Sequence, residues 1–231
     1  MNMIPALNKK TSGLLLDNYI HRPVIRSLVM WGFPFLGKVV DLTLADKYSQ
    51  MLSNRLKTFF DNLEAGDIQL TQDIIESNEF LHCYMSTFRA VVRTYQMKKI
   101  ELFARLLNSA AKTTPCRDNS VDEYEEYLSI LDTMSEREWK VLDVIYSSEK
   151  STPRNANENP LQHTMKYWRE LSEKLQEQGL VTTDELDSLL ARLNRTGCYV
   201  TFTGSFSNYA GNMGKTTETY QKLRFMVQEK V

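Results

Sequence analysis

Gly211-Asn212-Met213-Gly214-Lys215-Thr216-Thr217 ends like a loop that wraps a nucleotide phosphate, where backbone N–H groups and a lysine would neutralise the charge. Such a loop needs a further glycine five positions before Gly214, where this chain has Tyr209. It also needs a buried strand before it and a nucleotide-binding domain around it. Ser205–Asn208 is a poor buried strand and 14 residues follow Thr217, so a flexible loop is the expectation here. Glu79-x-x-His82 would put a carboxylate and an imidazole on one face of a helix, as in carboxylate-bridged dimetal bundles. Those sites draw on a second such pair and two more glutamates from neighbouring helices. The chain has no second Glu-x-x-His, and His82 lies between Leu81 and Cys83, so a hydrogen-bonded histidine at the core margin is expected.

His21 and His163 are far from His82 in sequence, and no serine sits in a G-x-S-x-G turn. Cys83, Cys116 and Cys198 are odd in number, with no C-x-x-C pair, which argues against a disulfide framework and a zinc site and fits reduced thiols in a cytosol. No catalytic, cofactor-binding or metal-binding residue is assigned. Two basic pairs remain as possible anion contacts: Arg89 and Arg93, one helical turn apart with Lys99 nearby, and Arg192 with Arg195, joined by Lys215 in a nucleic-acid-binding alternative. Residues 1–115 carry 14 Lys+Arg against 10 Asp+Glu, and residues 116–231 carry 14 against 19, a mild asymmetry of the kind that solvated faces also produce.

The elements that must position these groups read as helices. The segment 28–44, LVMWGFPFLGKVVDLTL, is the most apolar of the chain, but its uncharged core, Ser27–Gly37, is far short of the about 20 residues needed to span a bilayer. It must pack on a core, seat in a partner or lie in a membrane interface, with Trp31, Phe33, Phe35 and Leu36 as the contact residues. Lys9 and Lys10 precede only a short apolar patch, Leu14–Leu16, so no export signal is expected.

From Val40 to Leu63 apolar residues recur every three or four positions, predicting a helix over about 38–64 with Lys47, Gln50, Asn54, Lys57 and Asp61 on its wet side. Phe80, Leu81, Tyr84, Met85, Phe88, Val91, Val92 and Tyr95 keep the same period, and Leu102, Phe103, Leu106 and Leu107 continue it. Two helices or one kinked helix over about 71–112 follow, with these residues as core. Pro115 and its neighbours mark a linker over 113–120. Beyond it, helices are expected over about 121–131; from Ser135, with Glu138 closing a capping box; from Pro160, with Asn159 as cap and Gly179 as stop; and from Thr183 to a stop at Gly197. The polar stretch 147–160 reads as an exposed loop, 198–202 as a short strand, the run to Gly214 as a turn-rich tip and 217–228 as a last helix or strand.

Four segments together resemble bacterial helical proteins of the abortive-infection alpha type: FPFLGKVVD (33–41), KKIELFARLLNSA (98–110), LSILDTMSEREWKVLDVIY (128–146) and RLNRTGCYV (192–200). They cover under half the chain and include no catalytic motif. The LT-x-x-G common before the last helix of such proteins is absent from TYQKLRF, 219–225. The resemblance implies a helical architecture and a link to phage defence.

The fold expected is therefore mainly α: an N-terminal helical bundle over 1–112, a linker, and a smaller winged-helix-like module over 121–231. The function expected is non-enzymatic, a partner-binding or self-associating protein in the cytoplasm, with attachment at the inner membrane surface as a variant. The alternative is a nucleic-acid-binding regulator acting through the C-terminal module. Carboxylates at 184, 185 and 187, at the start of the helix that would enter the groove, count against that alternative because they repel phosphate.

Overall fold

The computed structural model describes residues 38–66, 77–112, 118–182, 184–202 and 212–228, with the side chains of 38–45 and 118–120 excepted. Trp31, Phe33, Phe35 and Leu36, the stretch 28–37, His21, Cys116, Tyr209 and Gly211 lie outside the described residues. Within them the chain is mainly helical. In order come α1 (Lys38–Ala65), α2 (Asn78–Arg93), α3 (Met97–Lys112), α4 (Asp118–Thr133), α5 (Glu136–Ser151), α6 (Pro160–Glu177), α7 (Leu186–Arg195), β1 (Tyr199–Thr201), β2 (Gly214–Thr216) and α8 (Glu218–Val227). Packing divides the chain into two compact units, Met1–Ser129 and Ile130–Val231, a division that falls inside α4. Helix α4 already begins within the stretch expected as a linker; Asp, Asn and Ser at 118–120 are residue types that favour helix starts.

In the first unit α3 lies at the centre. Ile100, Leu102, Phe103, Ala104, Leu106 and Leu107 are all buried, which leaves it little wet surface. Leu52, Leu56 and Phe59 of α1 are buried, while Lys47, Gln50, Asn54, Lys57 and Asp61 are exposed as the periodicity requires. Two hydrogen bonds set the direction of the helices. Arg55, itself buried, donates Nη1 to the Val92 carbonyl at 2.7 Å, where the end of α2 has carbonyls without helical partners. Near the other end Asn108 Nδ2 donates to the Asn62 carbonyl at 3.1 Å. Helix α1 therefore runs with α3, and α2, joined to α3 by only Thr94–Gln96, runs against both. Gly66 follows α1 because a Cβ there would lie 1.9 Å from Asn108 Nδ2.

Among the described residues the second unit holds the last turn of α4, helices α5, α6 and α7, the antiparallel pair β1–β2, and α8. The cap expected at Ser135 is present in full: its hydroxyl accepts from Glu138 N at 3.1 Å and Glu138 Oε2 accepts from Ser135 N at 2.7 Å. Asn159 and Gln162 form a second capping box ahead of α6, with Pro160 at its first position. Gly179 (φ +63°) and Gly197 (φ +73°) end α6 and α7 in the left-handed region that glycine tolerates.

Three expectations shift. Helix α5 runs through Ser151, so only 152–159 of the stretch expected as a loop is irregular; no proline interrupts the helix before Pro153. Helix α7 begins at Leu186, with Thr183 outside the described residues. Gly214-Lys215-Thr216 is strand, paired Tyr199↔Thr216, Val200↔Lys215 and Thr201↔Gly214. Trp139 and Tyr146 pack their rings on Tyr220 at 5.5 and 6.0 Å, joining α8 to α5, and Arg224 Nε donates to Asp143 at 2.7 Å over the face of Tyr146. Burial pushes the Tyr220 hydroxyl far above its usual range, and the nearby Asp143 carboxylate adds to the effect.

Gly214 is required by packing. A Cβ there would meet the Val200 carbonyl at 2.1 Å and the Tyr199 ring at 2.6 Å. Gly214→Ala is expected to cost about 1–3 kcal/mol in denaturant unfolding, the range for forcing atoms into a filled core, with the hairpin losing amide protection first. Glu185 takes hydrogen bonds from Arg137 at 2.7 Å and from Thr182 N and Oγ1 at 3.1 Å each, and these hold its carboxyl down from 4.5 to about 2. A depressed folded-state pKa stabilises above the unfolded value and is lost as pH falls through the folded one. Glu185→Gln is therefore expected to be less stable than the wild type at neutral pH, with the gap closing between pH 4.5 and about 2 in acid titration followed by circular dichroism.

Candidate interaction face

Among the described residues Glu149, Thr216 and His163 are each bonded within the fold. Glu149 Oε2 accepts from Thr216 Oγ1 at 2.7 Å and Thr216 N at 3.4 Å, so a carboxylate occupies the donors a phosphate would need at Gly214-Lys215-Thr216. His163 is buried against Tyr167 and bonds the Thr152 carbonyl at 2.9 Å, which anchors the start of the 152–159 loop. Burial raises the Tyr167 hydroxyl to about 12, so it keeps its proton at neutral pH. Cys83 and Cys198 are buried thiols. Among the described residues no group of three or more His, Cys, Asp or Glu side chains could hold a metal ion.

His82 differs from the expectation at the core margin. It is exposed on α2, with Nε2 2.6 Å from Glu125 Oε1 of α4, and Ser86 Oγ donates to the same oxygen at 3.4 Å. Glu79 accepts from the Ser77 hydroxyl at 3.1 Å at the helix cap, so the two members of Glu79-x-x-His82 serve different partners. The physical reason is the orientation of α2 about its axis. The helix buries Cys83, Thr87, Ala90 and Val91, which are small or compact. Thr87 receives the Tyr124 hydroxyl of α4 and donates to the Cys83 carbonyl at 2.8 Å, a buried polar pair that fastens this side.

The larger apolar residues of α2 consequently point away from the core. Leu81 is 52% and Met85 40% exposed, Phe88 and Val92 are half-buried, and Tyr95, just past the C-cap, is 80% exposed. Tyr84 stacks on Phe88 of this row with ring centroids 6.2 Å apart. The expectation that all these residues form core holds for Val91 and not for Leu81 or Met85. A helix that hides its small side and shows a continuous apolar row has a surface suited to a partner.

Of the expected anion contacts, Arg89 is exposed beside this row and Arg93 lies one turn on. Arg192 of α7 pairs with Glu138 at 3.1 Å, and Glu138 is the residue that closes the α5 capping box, so Arg192 is tied into the fold. Arg195 is exposed on the same helix, and Lys215 is half-buried on β2. Arg89 with Arg93 and Arg192 with Arg195 thus belong to different units. Among the described residues no helix is long and apolar enough to cross a membrane.

Sequence periodicity marked α2 as amphipathic but merged its two apolar sides. The heptad-like spacing of 81, 85, 88 and 92 against the compact residues at 83, 87, 90 and 91 was the available signal. In dilute solution Leu81→Gln is expected to change the unfolding free energy by less than about 0.5 kcal/mol, and Val91→Ala to cost about 1–3 kcal/mol. Comparable costs would show that Leu81 is core after all. No protein-family model, curated protein or solved structure matches this chain.

Proposed function

We propose that this protein acts by association and not by catalysis, and that the outward row of α2 is its main docking face. The observation that carries the reading is the inversion on α2: Cys83, Thr87, Ala90 and Val91 are buried while Leu81 and Met85 are exposed. Exposing large apolar side chains in a row costs solubility and contributes nothing to the monomer, so such a row fits a surface that is covered in use. The segment 28–44 is the second proposed contact, to a protein or to a membrane surface, through Trp31, Phe33, Phe35 and Leu36. The setting we propose, phage defence in a bacterial cytoplasm, rests on the resemblance to abortive-infection proteins alone.

The order of α5, α6, α7, β1, β2 and α8 supports reading the second unit as a winged-helix-like module. We read it as contacting protein and not nucleic acid. The start of α7 carries Asp184, Glu185 and Asp187, and Arg192 is already paired with Glu138, which leaves little positive charge to meet a phosphate backbone.

A photo-crosslinking side chain at Met85 of the full chain, activated in expressing cells, is expected to yield a discrete adduct, and the same probe at the exposed Arg169 to yield none. Equal adduct patterns from the two positions, or none from either, would remove the association reading.

A further inference from the structure

We infer that the occupant of the α2 face is the α2 of a second copy, laid antiparallel across a two-fold axis; this rests on the association reading above and names its partner. Residue spacing supports it first. Leu81, Met85, Phe88 and Val92 of α2 stand at intervals of four, three and four residues, a seam that reads the same from either end. Placed against itself in reverse, Met85 of each copy meets Phe88 of the other and Leu81 meets Val92. Every layer of the seam is filled by the same pair of layers, as an isologous contact requires. The opposite side of α2, with Cys83, Thr87, Ala90 and Val91, is already covered by its own unit, and Leu81 and Met85 stand exposed on the seam.

Charge supports it independently. His82 and Arg89 lie on the same flank of the seam, one heptad apart. Reversal brings Arg89 of one copy beside His82 of the other, and that histidine is held by the exposed carboxylate of Glu125 at 2.6 Å. Arg89 makes no ion pair within its own chain among the described residues, so it is available to meet Glu125 of the second copy. Glu123 and Glu126 of α4 are exposed near the same end. A parallel two-fold arrangement would set Arg89 and Glu125 of the two copies on opposite flanks of the seam, where the two do not meet. Antiparallel pairing places the basic C-terminal half of α2 over the acidic neighbourhood of the other copy's N-terminal half.

A seam on a 16-residue helix is about 24 Å long, at the small end of stable contacts, so pairing is expected to be reversible.

The test is sedimentation velocity of the full chain over about a hundredfold range of concentration, from about 1 to about 100 µM. The wild type is expected to shift from monomer to dimer. Arg89→Glu and Glu125→Arg, both at exposed positions, are each expected to stay monomeric where the wild type is dimeric, with unchanged circular dichroism. An equimolar mixture of the two variants is expected to recover a dimer. In the mixed pair the new carboxylate at position 89 faces the new guanidinium at position 125, and the two unaltered residues, Arg89 and Glu125, face each other at the symmetry-related contact. A wild type that remains monomeric throughout, or a mixture no more associated than its components, overturns the second-copy inference. If the Met85 probe still gives a position-specific adduct with a different protein, the association reading survives that failure; without such an adduct both fall.

Discussion

A four-turn helix with apolar side chains on both sides can cover only one of them against a unit of three or four helices, and α2 is placed under that constraint. Its neighbour α3 is buried over most of its circumference, and its other neighbours fix how it is turned. Arg55 of α1 holds the Val92 carbonyl at one end, and the Tyr124 hydroxyl of α4 reaches Thr87 in the middle. A buried guanidinium has few ways to satisfy its charge, and the carbonyl end of a helix is one of them, so the position of α1 along α2 follows from that contact. With the compact side of α2 turned inward, Leu81 and Met85 have no place but the surface. The docking face and the partner inferred for it descend from that one choice of orientation.

In the second unit carboxylates tie together elements that are distant in sequence. Glu138 closes a capping box and holds Arg192, Glu149 binds Thr216 across to β2, Asp143 takes Arg224, and Glu185 gathers Arg137 and two groups of Thr182. Each joins residues far apart in sequence, and each removes an acid or a cation from the set that a substrate or a nucleic acid could use. Partly exposed pairs of this kind contribute little stability singly. Their geometric effect is larger, because a hydrogen-bonded carboxylate fixes the approach of two helices that apolar contacts alone would allow to slide.

Helix positions were readable to within a few residues wherever the signals were local. The stripe through Leu52, Leu56 and Phe59 marked α1 and its wet side, the Ser135–Glu138 and Asn159–Gln162 pairs marked two helix starts, and Gly179 and Gly197 marked two stops. These depend on residues within a turn or two of one another, so a single sequence contains the whole of the interaction. Local reading failed where the competing partner was distant. Gly214-Lys215-Thr216 resembles a phosphate loop until Tyr199 and Val200 pair with it, and His82 resembles a core-margin histidine until Glu125 draws it to the surface.

By itself, then, the amino-acid order determined that this chain is mainly helical, where most of its helices begin and end, and which of them carry apolar stripes. Only the tertiary structure decided which side of α2 is hidden, that Arg192 is held by Glu138, and that the glycine-lysine-threonine triplet is strand. Periodicity and capping are short-range and written in neighbouring residues. Burial is a competition among surfaces brought together from across the chain, and its outcome depends on side chains such as Arg55, Tyr124 and Glu149 whose partners lie more than thirty residues away.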